Sequence, residues 1–218
     1  MFIKEIKLLT NDRATTKNFY HQILELPIAF EERDFISFQA GLSLLTFQEV
    51  KEQKPVYHFA FNIPCNKIEE ALRWIESKVE IIHWNKENKM VDFKNWNAKA
   101  VYFFDNSGNI LELIARSDLK NENVKEFTSN SFVSISEIAI VTDNVMKTAN
   151  DLICSFNINY FDKQPPSQDF AALGDDHGLF ILSKTGRNWF LTDLPSKKYW
   201  QKITIEVEGK QEEITLNE

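Results

Sequence analysis

The chain has 218 residues, of which 43% are hydrophobic and 26% are charged, and its formal net charge is −7. These proportions are typical of a globular protein and do not favour a disordered chain. The negative charge and the lack of a basic stripe argue against a nucleic-acid partner, because such binding depends on clustered lysine and arginine. No apolar run reaches the roughly 20 residues that a spanning helix needs, so no membrane partner is expected.

The N-terminus and the two cysteines indicate the expected compartment. The first apolar stretch contains lysines and acids, unlike the apolar core of an export signal. Two cysteines, Cys65 and Cys154, do not provide a disulfide framework. We therefore expect a cytoplasmic protein with both thiols free.

Three segments of the chain repeat one pattern. They begin at Glu5, His58 and Glu137 and read EIKLLTND, HFAFNIPC and EIAIVTDN. In each segment the second and fourth residues are apolar, which is the alternation of a strand with one buried face. An amphipathic helical pattern follows each strand, and short strand-like runs follow each helix. The repeat predicts an α+β fold built from βαβββ modules.

These modules divide the chain into two predicted lobes. Residues 1–50 and 54–116 would form two modules that pair into a cup-shaped mixed sheet with the helices outside. Residues 117–131 are polar and have no sustained period, so we predict a linker, with a loop inside one continuous structure as the alternative. Residues 132–218 would form a second lobe, made of a third module and the C-terminal strand of a partial fourth.

The alternation also predicts which side chains face away from the helices. In the second module Phe59 and Phe61 face the helices, so His58 faces the opposite side of the sheet. In the run NILELIA, Glu112 lies on that opposite side between two isoleucines. A carboxylate there is costly to bury unless it has a cation or a metal as its partner. Glu5 repeats the position of His58 in the first module.

Pairing of the first two modules would bring Glu5, His58 and Glu112 together on the concave face of the sheet. Two carboxylates and one imidazole suit a divalent Fe, Mn, Ni, Co or Zn ion. We therefore predict a divalent metal site formed by these three residues. The alternative is that His58 is a structural histidine and that Glu5 is a solvated residue near the start of a strand.

The βαβββ repeat, the run YHFAFNIP and the run VYFFDNSGNILELIAR resemble the vicinal oxygen chelate superfamily. This superfamily contains glyoxalase I, bleomycin and fosfomycin resistance proteins, methylmalonyl-CoA epimerase and extradiol ring-cleaving dioxygenases. Its members pair two modules into a cup with a divalent metal at the base. The resemblance maps the metal ligands onto Glu5, His58 and Glu112, and it implies a catalytic role for Glu112. It covers residues 1–116 and, more weakly, residues 133 to about 195.

The chain departs from the superfamily at two ligand positions. The first ligand is usually His or Gln, and here it is Glu5, which leaves the metal's identity open. A fourth ligand of glyoxalase-type enzymes falls at Leu44, and Gln48 or Glu49 could replace it only if the strand register slips. Three protein ligands with open positions resemble the dioxygenase or resistance-protein plan.

The second lobe lacks a complete ligand set. Glu137 repeats Glu5, but the equivalent of Glu112 falls at Ile181 or Leu182. We therefore expect at most one metal site, in the first lobe.

Two further segments contain candidate ligand-binding residues. Trp96 and Asn97 combine a stacking surface with an amide that donates and accepts hydrogen bonds, so we predict that both contact the substrate. A bend packed by Trp96 is the alternative. In the segment GRNW, Arg187 could lie over a ring or a carboxylate, and a capping loop explains this segment equally well.

Three functions remain open from the sequence. The first is a small-molecule enzyme whose divalent ion chelates two substrate oxygens, as a lyase, an isomerase or a ring-cleaving dioxygenase. The second is a protein that binds a drug or metabolite without chemistry, as bleomycin-resistance relatives do. The third is a scaffold with a degenerate site and no metal. A small molecule is the expected partner, and a homodimer is one option for the assembly.

Overall fold

The computed structural model describes residues 1–217, so that Glu218, at the end of the predicted C-terminal segment, lies outside the described residues. The strands are β1 (Phe2–Thr10), β2 (Ile28–Glu31), β3 (Phe35–Ala40), β4 (Ser43–Glu49), β5 (His58–Ile63), β6 (Ile81–Ile82), β7 (Met90–Phe93), β8 (Ala98–Phe104), β9 (Ile110–Arg116), β10 (Ser134–Thr142), β11 (Phe170–Asp175), β12 (Gly178–Lys184), β13 (Gln201–Val207) and β14 (Lys210–Leu216). The α-helices are α1 (Arg13–Lys17), α2 (Ile68–Glu76) and α3 (Val145–Phe156). A π-helical turn, Asn18–Ile23, follows α1, and 3₁₀ turns cover Lys94–Trp96, Ser117–Leu119 and Ser129–Ser131.

The strands form two sheets. One has six strands in the order β14-β13-β1-β4-β3-β2, and the other has eight, β11-β12-β10-β5-β9-β8-β6 with β7 paired to β8. In each module the first strand pairs in parallel with the last: β1 with β4, β5 with β9 and β10 with β12. This repeated pairing confirms the predicted α+β fold of βαβββ modules. The third module is reduced, because one of its strands is only a bridge between Tyr160 and Leu173.

The modules pair differently from the prediction. β5 of the second module pairs antiparallel with β10 of the third, and β1 of the first pairs antiparallel with β13. The first two modules therefore lie in different sheets and do not form one cup, which corrects the predicted pairing. Each module presents the same free edge on its first strand, so the repeat itself does not specify a partner. The path of the connecting chain and the packing of the sheets specify it.

The segment 117–131 makes specific contacts with the second module. Phe127 is buried, and its ring centre lies 5.5 Å from that of Trp74 in α2. The Phe127 N–H donates a hydrogen bond to Glu70. The segment thus leads from β9 to the start of β10 along α2, which brings β10 beside β5.

Side-chain caps explain where α1 and α3 begin. The Asp12 carboxylate accepts a hydrogen bond from the Thr15 N–H, and the Asn144 side chain accepts one from the Lys147 N–H. Such caps satisfy N–H groups that lack a partner within the helix. In residues 1–217, no helix combines the length and the apolar character that crossing a membrane requires.

One apolar core lies between the two sheets and the helices. Phe59 and Phe61 belong to this core, whereas Ala60 belongs to a second apolar cluster on the opposite face of the eight-stranded sheet. The second cluster contains Trp96 and Tyr102. The alternation predicted from the sequence is therefore confirmed, and the second cluster surrounds the face that carries His58.

Candidate functional site

The hairpin between β8 and β9 positions His58. Asp105 in this hairpin accepts hydrogen bonds from the N–H groups of Ser107 and Asn109. The Asn109 side chain accepts a hydrogen bond from the N–H of Tyr57 at 2.8 Å. Because Tyr57 immediately precedes His58, this turn aligns the start of β5 with β9.

The imidazole of His58 has a defined tautomer. Its Nδ1 lies 3.0 Å from the carbonyl oxygen of Ile110. A carbonyl oxygen only accepts, so Nδ1 carries the proton and Nε2 is left as an acceptor or a metal ligand. Nε2 lies 3.8 Å from Oε2 of Glu112. Burial lowers the pKa of His58 to about 4, so the ring is neutral at neutral pH.

Two buried carboxylates lie beside Nε2 of His58. Glu112 is 1% exposed, and its Oε1 has no hydrogen-bond partner among the described residues. Burial, and then the charge of Glu137, raise the pKa of Glu112 well above its usual value. Burial also raises the pKa of Glu137, against the effect of Arg116. One ligand atom from each of His58, Glu112 and Glu137 lies within 4.8 Å of the other two.

Arg116 is the cation partner of Glu137, and its side chain is fully buried. The guanidinium donates a hydrogen bond to Glu137 and another, of 3.2 Å, to Oδ1 of Asn62. It also lies 5.4 Å from the centre of a ring of Trp96. A buried ion pair offsets its desolvation when further hydrogen bonds satisfy both groups. Arg116 therefore holds the Glu137 carboxylate in one orientation.

Of the three predicted metal ligands, the structure brings His58 and Glu112 together and places Glu5 elsewhere. Glu5 lies on β1 in the six-stranded sheet, where its Oε1 accepts a hydrogen bond of 2.5 Å from Thr46 Oγ1. Glu137 of the third module stands beside His58 and Glu112 instead. The group therefore lies between the second and third modules and not within the predicted first lobe. Glu5 and Glu137 occupy the same place in their modules, so the difference follows from the module pairing.

The strand register shows which residues of the first and third modules correspond to Glu112 in the second. Glu112 pairs with the residue two places after His58. The same offset leads to Ile181 in the third module and to Thr46 in the first. Leu44, the residue expected at this position, lies two residues too early. Ile181 offers no ligand atom, so the group around His58 has three ligand side chains.

A cavity of about 400 Å³ opens beside His58 and Glu137. Its walls are largely aromatic, and the aromatic residues are Phe93, Trp96, Tyr102, Phe170, Trp189 and Phe190. The ring centres of Tyr102 and Trp189 lie 6.2 and 5.9 Å from that of His58. A cavity of this size, with apolar walls and a few polar groups at one end, is typical of a small-molecule site.

The structure separates the two residues predicted to contact substrate. Trp96 lines the cavity, and its Nε1 donates a hydrogen bond of 3.3 Å to Oε1 of Gln164. Asn97 ends a 3₁₀ turn with a positive φ of 50°, and its Nδ2 donates to Asp118 at 2.8 Å. Asn97 therefore stabilises a turn outside the cavity.

Sequence reasoning missed Arg116, although the alternation contained the signal. Arg116 lies four residues after Glu112 on the same strand, so both side chains are on the same face. The requirement that a buried Glu112 have a cation nearby could have identified Arg116 as the candidate. The sequence does not show that Arg116 binds Glu137 and not Glu112, because Glu137 lies on β10, which is distant in the chain.

Comparisons with known proteins support the fold. No family model and no curated protein matches the sequence. A putative dioxygenase from Bacillus subtilis is 15% identical, with a TM-score of 0.62 over 99% of this chain and 84% of that chain. A mutant of glyoxalase I from Zea mays is 11% identical, with a TM-score of 0.55 over 84% of this chain and 66% of that chain. The chain therefore shares the fold of these two proteins, which is the kind of fold that the sequence resemblance predicts.

Proposed function

We propose that the chain is a cytoplasmic, metal-dependent small-molecule enzyme in which His58, Glu112 and Glu137 hold one divalent ion. The observation that carries this proposal is a group of three buried ligand side chains within 4.8 Å of one another, in which Glu112 Oε1 has no partner among residues 1–217. A buried acceptor without a partner is costly. A bound cation would satisfy it.

The chemistry of the three side chains fits a divalent ion. The bond from His58 Nδ1 to the Ile110 carbonyl is of the kind that orients a metal-binding imidazole and leaves Nε2 for the metal. One neutral imidazole and two carboxylates suit Fe, Mn, Ni, Co or Zn. Arg116 supplies the outer hydrogen bond that commonly anchors a ligating carboxylate.

When bound, such an ion would supply a Lewis acid that chelates two substrate oxygens and stabilises negative charge on them. The chain's own residues would perform the remaining tasks. The aromatic walls, including Trp96, orient the substrate and exclude water from it. The raised pKa of Glu112 shows that burial disfavours its free carboxylate, a cost that a bound cation would offset. Lyase, isomerase and ring-cleaving dioxygenase chemistry are the candidate reactions.

One observation favours a second function, the binding of a drug or metabolite without chemistry. Arg116 already neutralises Glu137, so one of the three ligand side chains has a cation partner without any metal. His58 and Glu137 would then form the polar end of a binding cavity. Metal uptake distinguishes this function from the first.

Metal analysis tests the proposal. Protein purified without chelators and supplied in turn with Fe, Mn, Ni, Co and Zn should retain a stoichiometric amount of at least one of them, measured by mass spectrometry of the elements. His58→Ala should abolish this uptake and leave the circular dichroism spectrum unchanged. Glu5→Gln, at the equivalent position of the first module, is the matched control and should bind as the wild type does. A wild type without uptake, or uptake that survives His58→Ala, would contradict the metal site.

A further inference from the structure

Charge is unevenly distributed along the cavity. Three charged side chains line it: Glu137, Asp169 and Arg187. Glu137 is neutralised by Arg116, and Asp169 lies 3.0 Å from the amino group of Lys184. In the part of the chain that the structure describes, no carboxylate lies within 4.0 Å of the Arg187 guanidinium. Arg187 is therefore the one charged side chain of the cavity lining that has no ion-pair partner among residues 1–217.

Arg187 lies at the end of the cavity remote from Glu137. Its guanidinium is 5.0 Å from the centre of the Phe170 ring. Phe170 pairs with Ser183 on β12, whereas Glu137 pairs with Leu179 on the same strand. Four residues separate these two levels, which corresponds to about 13 Å along the strand. A ligand of several ångströms in length can therefore lie between the two ends.

The backbone on which Arg187 lies is well anchored. The Arg187 N–H donates to the carbonyl of Lys184 at 3.0 Å, and the Arg187 carbonyl accepts from the Ser196 N–H at 2.8 Å. The Ser196 hydroxyl also donates to the Lys184 carbonyl at 2.8 Å. The guanidinium carbon lies over the Phe170 ring, and no group among residues 1–217 accepts a hydrogen bond from the guanidinium, so its N–H groups remain available to a ligand.

We propose that the cavity binds an aromatic carboxylate and that Arg187 binds its carboxylate group. The aromatic walls fit a flat apolar body, and the guanidinium fits a planar carboxylate with two parallel hydrogen bonds. This inference rests on the proposed function for the identity of the site, because it names the class of molecule that the same cavity takes. It does not require a bound metal, because Arg187 lies at the far end of the cavity.

Two probes that differ only in charge test the inference. Isothermal titration calorimetry on chelator-treated protein compares 2-naphthylacetate with the neutral 2-naphthylacetamide. The wild type should bind the acid about tenfold more tightly than the amide. Arg187→Met retains an apolar stem over Phe170 and should bring this ratio to about one without weakening the amide. Lys198→Met removes an exposed cation that pairs with Asp143, and should leave the ratio as in the wild type.

Several outcomes would overturn the inference. They are equal affinities of the wild type for acid and amide, no binding of either probe, and an acid preference that survives Arg187→Met. His58→Ala should keep the acid preference, because the positive end of the cavity is intact in that variant. An intact acid preference without metal uptake would contradict the metal site alone. Metal uptake without an acid preference would contradict the role of Arg187 alone.

Discussion

The two sheets repeat the same strand pattern but give equivalent positions different surroundings. In the eight-stranded sheet, His58, Glu112 and Glu137 are all buried and lie within 4.8 Å of one another. The loop that contains Trp189 covers them from one side, since this residue is 4% exposed and its ring lies 5.9 Å from His58. Burial beneath this cover shifts the pKa values of the three groups towards their neutral forms.

The six-stranded sheet has a second hollow at the equivalent place, lined by Glu5, Thr46 and Lys202 among others. Glu5 and Thr46 take the positions of His58 and Glu112, and the pairing of β1 with β13 gives Lys202 the position of Glu137. The Lys202 side chain is 36% exposed and pairs with Glu213 at 2.9 Å. The repeat therefore supplies equivalent positions, whereas the covering chain and the residue types decide whether a position becomes a desolvated site. Three predictions test this difference.

The largest expected effect is the loss of stability on removal of a cationic side chain, Arg116 from the eight-stranded sheet or Lys202 from the six-stranded sheet. Arg116→Met should lower the free energy of unfolding by about 3–5 kcal/mol, because Glu137 would remain as a buried charge without its partner. Lys202→Met should lower it by less than about 1 kcal/mol, because the pair that it breaks is partly exposed. Urea denaturation followed by tryptophan fluorescence measures both. Equal losses in the two variants would contradict the claimed difference in burial.

A second comparison concerns metal affinity. Glu112→Gln should raise the dissociation constant of the bound ion by about 100-fold, or about 2.7 kcal/mol, because a neutral amide replaces a carboxylate ligand. Thr46→Val changes the equivalent residue of the six-stranded sheet and should leave the constant unchanged. Calorimetric titration with the ion identified by metal analysis gives both values. Similar affinities of Glu112→Gln and the wild type would remove Glu112 from the ligand set.

The third prediction uses the buried imidazole. The folded-state pKa of His58 is about 4 and its usual value is 6.5, so the unfolded chain takes up a proton that the folded chain excludes between these values. Metal-free protein should therefore lose about 2 kcal/mol of stability from His58 as the pH falls from about 6 to about 4.5. His58→Gln should remove this part of the loss, as urea denaturation at several pH values would show.

A control for this pH experiment is His83→Gln, which removes an exposed imidazole. An acid loss of the same size in His58→Gln and the wild type would show that His58 is not the group responsible.

The sequence predicted the fold more completely than the site. The apolar alternation places Phe59 and His58 on opposite faces of β5, and the structure confirms both placements. The resemblance predicts the fold that the structural comparisons confirm. For the site, the sequence predicted His58 and Glu112 as ligands together with Glu5, which lies in the other sheet. Glu137 has the same place in the third module that Glu5 has in the first, and the structure brings Glu137 beside His58 and Glu112.

By itself the sequence determined features that depend on residues close together in the chain. The alternation of β5 and the Asp105–Asn109 turn are local, because strand geometry and side-chain hydrogen bonds act within a few residues. Only the tertiary structure decided that β5 pairs with β10, that Arg116 binds Glu137 and that the loop of Arg187 lines the cavity. These contacts join distant segments, and repeated modules offer the same backbone hydrogen-bonding groups at each edge. The choice between equivalent edges therefore depends on the packing of the whole chain.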